Sequence, residues 1–326
     1  MVLAVLRALC VSAVHFPERA TMDKAINGAQ WLVRTLRERG VEYVFTLCGN
    51  GLNPFYDACL DYKMKVVDTR NEQAAAYMAD AWGRLTRRIG VVAVSSGPGH
   101  TNALTGLANA WWDGGPMLLI SGCSGQRMRG MDNFQELDQV GMAAPVCKHA
   151  AMVQRIESLP QETHKALAAA TSGRPGPVHL TIPEDVLNSP IDLAGVRESG
   201  TCPGAVEPHC FGDPALLRDA VAMLKRAKRP FMVVGSGVFY AQATDALQQF
   251  AKLTDIPIVS HIWDRSCVEQ AWPQYVGVTN GELNHAMRML AQADVILTLG
   301  ARVDYRLGHG RPPAVAPDAK FIRVDI

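Results

Sequence analysis

Short apolar runs alternate with segments of helical period along most of the chain, and few folds accept such a pattern. "YVFTL" (43–47), the Val pair at 66–67 within a strand over 65–67, "VVAVS" (91–95), "MLLIS" (117–121) and "VHLTIP" (178–183) read as buried strands. Between them lie helices. Ile26, Ala29, Leu32, Val33 and Leu36 recur at three- and four-residue steps, marking one face of a helix that opens near Met22. Gly40 supplies the left-handed stop. Pro54 lies in the first turn of the next helix, another starts at Glu72, and one more covers about 158–171. Strands alternating with helices predict a parallel sheet covered on both faces.

Residues 187–213 lose this period and are rich in Pro and Gly, which marks a linker. The rhythm then restarts with helix 214–227, strand "FMVVG", helix 241–253, strand "PIVS", helix 283–292, and strands "VILTLG" and "FIRVDI". The expected fold is α/β, with two doubly wound parallel-sheet domains over 22–186 and 214–326. The second ends on a strand at Ile326 with no covering helix, so it reads as truncated at its C-terminal end. The opening "MVLAVLRALCVSAVHFPERA" is mildly apolar and interrupted by Arg7. Residues 1–21 are read as a disordered extension or a misassigned start, with an export signal as the alternative.

At 326 residues the chain can bury two cores. A net charge of +1 leaves no electrostatic footprint for nucleic acid or an anionic membrane. No apolar run reaches the roughly 18 residues that span a bilayer. The eight cysteines are scattered, without Cys-x-x-Cys or zinc-ligand spacing, which suggests a reducing compartment such as the cytosol.

One carboxylate stands out. Glu72 follows a strand and opens a helix of small residues, "EQAAAYMADAWG", where open α/β sheets place their ligands. The helix dipole favours an ionised group there. Taken alone, Glu72 reads first as an N-terminal-turn acid on a tightly packed helix. In "SSGPGHTNALTGLANAWWDGG", Gly97 and Gly99 bare the backbone ahead of a helix N-terminus, which suits a planar or anionic ligand or simply a turn. "VVGSGVFYA" starts like a dinucleotide fingerprint at Gly235 and Gly237. Tyr240 fills the third glycine's place, however, and no acid closes the next strand before Asp264.

In this order, "GVEYVFTLCGNGLNPFYDAC", "TRNEQAAAYMADAWGRLT", "SSGPGHTNALTGLANAWWDGGPMLLISG", "DNFQELDQV" and "GRPGPVHLTIPEDV" resemble the thiamine-diphosphate enzymes of the acetolactate synthase group. The resemblance covers about residues 24–326. It implies a pyrimidine-binding domain followed by a central domain, which in some relatives holds FAD or an ADP-type nucleotide. It gives Glu72 the role of hydrogen-bonding N1′ of the cofactor's aminopyrimidine, and places Gly49, Asn50, Gly97, Pro98, Gly99 and Asn102 at the cofactor. His100, Phe134, Gln135 and Lys148 are then expected at the substrate.

Where acetolactate synthases carry Gly-Tyr-Pro-Gly-Gly, this chain has Thr46, Leu47, Cys48, Gly49 and Asn50, and His100 stands where alanine is common. "RNEQAAAY" with "GRLT" is similar to 2-hydroxyacyl-CoA lyases and oxalyl-CoA decarboxylases. "ACLDYKMKVVDTRNE" and "LGARVDYRLGHG" are similar to benzaldehyde lyase. The implied substrates are 2-keto acids, aldehydes or 2-hydroxyacyl-CoA. The family's third domain, whose Gly-Asp-Gly and downstream Asn hold Mg²⁺ and the diphosphate, has no counterpart here; "FGDPAL" (211–216) lies in the linker and lacks the second glycine. No metal ligand is therefore assigned, and the chain alone is expected to show negligible turnover. The resemblance further implies a homodimer or larger assembly, with a separate chain as one source of the diphosphate domain. A non-catalytic interaction or regulatory protein derived from such an enzyme is the alternative of another class.

Overall fold

The computed structural model describes residues 26–192, 212–265, 268 and 272–326. The extension over 1–21 and most of the linker lie outside the described residues. The first unit runs α1 (Gly28–Glu38), β1 (Tyr43–Leu47), α2 (Asn53–Asp61), β2 (Lys65–Asp68), α3 (Glu72–Thr86), β3 (Gly90–Val94) and α4 (Pro98–Asp113). It continues through β4 (Met117–Cys123), α5 (Gln139–Ala143), β5 (His149–Met152), α6 (Leu159–Thr171), β6 (Pro177–Pro183) and α7 (Glu184–Asn188). Its six strands are all parallel, in the order β2-β1-β3-β4-β6-β5. β3 and β6 are buried along their whole length, because helices cover both faces of the sheet. One core layer gathers Leu32, Leu36, Phe55, Leu118 and Ile120; the other gathers Ala75, Ala79, Val92, Leu107 and Leu119. Leu187 and Ile191 belong to the first of these layers, so the chain stays packed on this unit into the expected linker.

The second unit runs α8 (Pro214–Arg226), β7 (Pro230–Val234), α9 (Ser236–Tyr240), α10 (Thr244–Thr254), β8 (Ile258–Ser260), β9 (Tyr275–Val278), β10 (Val295–Leu299) and β11 (Lys320–Val324). Its sheet is also parallel, in the order β11-β10-β7-β8-β9. The expected helix over 283–292 is a 3₁₀ turn at His285–Gln292, and the one over 241–253 is α10, starting at Thr244, with the short α9 (Ser236–Tyr240) ahead of it.

Local chemistry explains the boundaries. Asn27 caps α1 by accepting the Gln30 N–H at 2.8 Å, while Gln30 Oε1 accepts the Asn27 N–H, a reciprocal box. Gly40 follows α1 with φ +80°. α3 and α4 pack on each other through small residues: a Cβ at Gly106 would lie 2.4 Å from the Ala76 Cβ. The buried alanines of α3 are thus used inside the chain, while Tyr77, Met78, Leu85 and Trp112 stay exposed.

Candidate functional site

In the first sheet β1 is flanked by β2 on one side and β3 on the other. Successive connections leave in opposite directions there, opening a crevice beyond the carboxyl ends of β1 and β3. The loops around it are pressed together. A Cβ on Gly49 would lie 2.6 Å from the Ser95 Cβ, and Ser95 Oγ donates to Asn50 O at 3.3 Å. Gly51, at φ +86°, rests on the Cys123 backbone.

Glu72 reaches this crevice from the β2–α3 turn. Both Thr69 N–H (2.8 Å) and Thr69 Oγ1 (2.9 Å) donate to Thr46 O, pinning the turn to the end of β1. Asn71 caps α3 by accepting the Gln73 N–H at 2.7 Å, which leaves Glu72 in the first turn of the helix. Glu72 is half-buried, and its Oε2 accepts a hydrogen bond from Asn102 Nδ2 at 2.9 Å. Its Oε1 faces the bare backbone of Gly99, where a Cβ would come within 3.3 Å. Pro98 opens α4 at its first turn. Gly97 adopts φ +57°, and a Cβ there would lie 2.8 Å from both the Cβ and the carbonyl of Gln135. Gln135 Oε1 accepts from Ser95 Oγ and Ser96 Oγ at 3.4 Å each. A cavity of about 320 Å³ adjoins this point, lined among others by Ser96, Cys123, Phe134, Gln135 and Thr181. Burial pushes the Cys123 thiol up to about 12, so it stays protonated.

The sequence-derived residues thus fall into three groups. Glu72, Gly49, Asn50, Gly97, Pro98, Gly99, Asn102 and Gln135 gather around the crevice, and Phe134 stands exposed at the adjoining cavity. His100 is packed in the interior rather than exposed at the crevice. It is fully buried, its Nδ1 lies 2.9 Å from Ser121 Oγ, and its ring packs 4.8 Å from His179. Burial lowers the His100 pKa to about 4 and holds His179 well below the usual histidine range. Lys148 is not brought to the crevice. Its Nζ donates to Ser172 O and Arg174 O, and its N–H to Pro177 O, at the amino end of β6. It lies a strand length from Glu72's end of the sheet.

Sequence reasoning missed Gln139. This residue is 2% exposed; its Oε1 accepts the Gly97 N–H at 3.0 Å, and its Nε2 donates to Thr181 Oγ1 (3.1 Å) and Gly122 O (3.3 Å). It therefore ties together the loop after β3 and the strands β4 and β6. An amide directly after the capping acid Asp138 was the available signal.

The residues present suit an aminopyrimidine. Bare glycine backbone offers a flat surface, and a fixed carboxylate with one oxygen unengaged by Asn102 offers a partner for a ring nitrogen. Among the described residues no group of three or more His, Cys, Asp or Glu side chains could hold a metal ion, so no magnesium step is derived from them. No described helix is long and apolar enough to cross a membrane.

Residues 26–142 match the family model of the thiamine pyrophosphate enzyme N-terminal TPP binding domain, and residues 217–326 match that of the thiamine pyrophosphate enzyme central domain. The chain is 37% identical over 302 residues to the acetolactate synthase isozyme 2 large subunit of Escherichia coli, covering 92% of this chain and 54% of that protein. It is 35% identical over 308 residues to the acetolactate synthase large subunit of Haemophilus influenzae, covering 93% and 53%. It is 33% identical over 312 residues to human 2-hydroxyacyl-CoA lyase 1, covering 96% and 52%. The chain thus spans about half the length of the curated relatives it matches. A parallel-sheet crevice with a glutamate at its rim, joined to matches across both units, means that the chain belongs to the thiamine pyrophosphate enzymes and carries their N-terminal and central domains.

Proposed function

We propose that this chain supplies the pyrimidine-binding half of an acetolactate synthase-like site, in which Glu72 exchanges a proton with the aminopyrimidine of thiamine diphosphate. The observation that carries the reading is the Glu72 carboxylate, held through Oε2 by Asn102 and set with Oε1 against Gly99. Such a group can take and return a proton at one oxygen without losing its orientation. When bound, the cofactor supplies an electron sink for making or breaking a bond beside a carbonyl. The glycine backbone at 49, 97 and 99 gives the ring room, and Gln139 holds the Gly97 loop in place. Phe134 and Gln135 border the space left for the acyl substrate, with His100 acting from beneath through the packing of α4. The diphosphate and Mg²⁺ are assigned to a domain that these residues do not include. Free Cys48, Cys59, Cys123 and Cys147 suit a reducing compartment such as the cytosol.

A second reading, cleavage of 2-hydroxyacyl-CoA, is supported by the likeness to human 2-hydroxyacyl-CoA lyase 1 and by the run Thr46–Asn50. The test is an acetolactate assay beside a 2-hydroxyacyl-CoA cleavage assay, each with thiamine diphosphate and Mg²⁺. The chain alone should stay near background in both. It should gain turnover when the diphosphate-binding portion of an acetolactate synthase is added, and the assay that responds selects the reading. Full turnover by the chain alone refutes the half-site assignment. Silence in both assays with the added portion, where cofactor binds, refutes the catalytic reading and leaves an interaction protein.

A further inference from the structure

The second sheet has its own crossing point. β7 lies between β8 and β10, so the crevice for a ligand falls beyond the carboxyl ends of β7 and β10. This is where FAD or an ADP-type nucleotide is expected from the resemblance, and the residues there do not fit one.

Three observations bear on it. The two loops are in backbone contact: Gly237 N–H donates to Gly300 O at 3.0 Å, and a Cβ at Gly235 would lie 2.3 Å from that oxygen. The turn itself already has an anion. Ser236 N–H, at the start of α9, donates to Asp264 Oδ2 at 3.0 Å, and a Cβ at Gly235 would meet the same carboxylate oxygen at 2.8 Å. The nearby guanidinium is also committed. Arg306 is 7% exposed along its side chain; Nη1 donates to Asp264 Oδ1 (2.6 Å) and Ile262 O (3.0 Å), while Nε and Nη2 donate to the Asp304 carboxylate. Four of its five N–H groups are thereby engaged.

We propose that Asp264 occupies the seat a nucleotide phosphate would take, so that this central domain binds neither FAD nor ADP. A diphosphate entering the turn would meet a carboxylate that is 12% exposed. Two like charges in a partly desolvated place repel, and expelling Asp264 would strip Arg306 of one of its two acids. The carboxylate instead holds the turn shut from within. Its neighbour Trp263 gives its carbonyl to Arg84 of α3, so the closed crevice also forms part of the joint between the two units.

The test is calorimetric titration of the full chain with FAD and, separately, ADP, without thiamine diphosphate. The wild type should take up neither nucleotide, and Asp264→Glu, which keeps the charge, should behave alike. Asp264→Asn should bind ADP at least tenfold more tightly than the wild type; Asp264→Ser carries the same comparison if the Asn variant does not fold. Stoichiometric uptake of either nucleotide by the wild type overturns the proposal. A folded neutral variant that ignores both nucleotides overturns it too, because something other than the carboxylate would then bar the crevice. Neither result depends on whether the first unit binds thiamine diphosphate.

Discussion

Glu72 and Asn102 meet across two helices, so each side chain limits what the other can do. Glu72→Gln keeps an acceptor for Asn102 Nδ2 but cannot exchange a proton. Its unfolding free energy should stay within about 0.5 kcal/mol of wild type, while cofactor-dependent turnover in the completed assay falls at least about 100-fold. Denaturant titration and the assay together check this. His100 and His179 make the opposite kind of prediction, one of stability rather than chemistry. Burial lowers both pKa values, His100 to about 4, so the unfolded chain binds protons more readily than the folded one below about pH 6.5. Their neutral forms contribute full stability above that pH, and the contribution drains away as pH falls below it, for His100 down to about 4. For His100 this amounts to roughly 3 kcal/mol. Urea unfolding at pH 7.5 and 5 should show the loss, and His100→Asn should flatten the slope; an unchanged slope in the variant would assign the pH dependence elsewhere.

At the scale of elements, α3 and α4 meet at Gly106 with no space to spare. A side chain there would strike the Ala76 Cβ and its carbonyl carbon at 2.9 Å. Gly106→Val should cost at least about 2 kcal/mol. Gly106→Ala should cost less and be partly recovered by Ala76→Gly, a cycle that thermal unfolding can read. This packing also decides which parts of the molecule were legible in the sequence. β1, β3, β4 and β6 announce themselves as apolar runs because both faces of the sheet are covered. β5 and β9 do not. Both are half-buried edge strands, "HAAM" and "YVGV", whose alanines or glycine carry little strand propensity. The unseen register of β5 is what carries Lys148 to the far end of the sheet. Glu72 was readable from its place after a strand, whereas its bond to Asn102 depends on how α3 docks on α4. Gln139 escaped for the same reason, since its three partners lie in segments distant along the chain.

The whole molecule is joined through the far end of α3. Arg84 binds Asp113 at 2.8 Å within the first unit and donates to Trp263 O in the second. Arg87, the left-handed residue that ends α3, donates to Phe239 O at 3.3 Å with its guanidinium 5.0 Å from the Phe239 ring. Replacing both arginines by alanine should split one calorimetric transition into two, as each unit keeps its own core. The exposed Tyr77, Met78, Leu85 and Trp112 suit a second copy of the chain, so light scattering should report a dimer or larger that Trp112→Glu weakens. One helix thus begins at the Glu72 carboxylate and ends at the joint. Its 15 residues make a rod about 22 Å long. Pivoting such a rod by only about 3° swings its far tip by about 1 Å, a misplacement of the size that costs an active site about 100-fold in rate. The angle between the two units is therefore a mechanical input to Glu72, and a force applied at Trp263 is felt as aim at the other end of the lever.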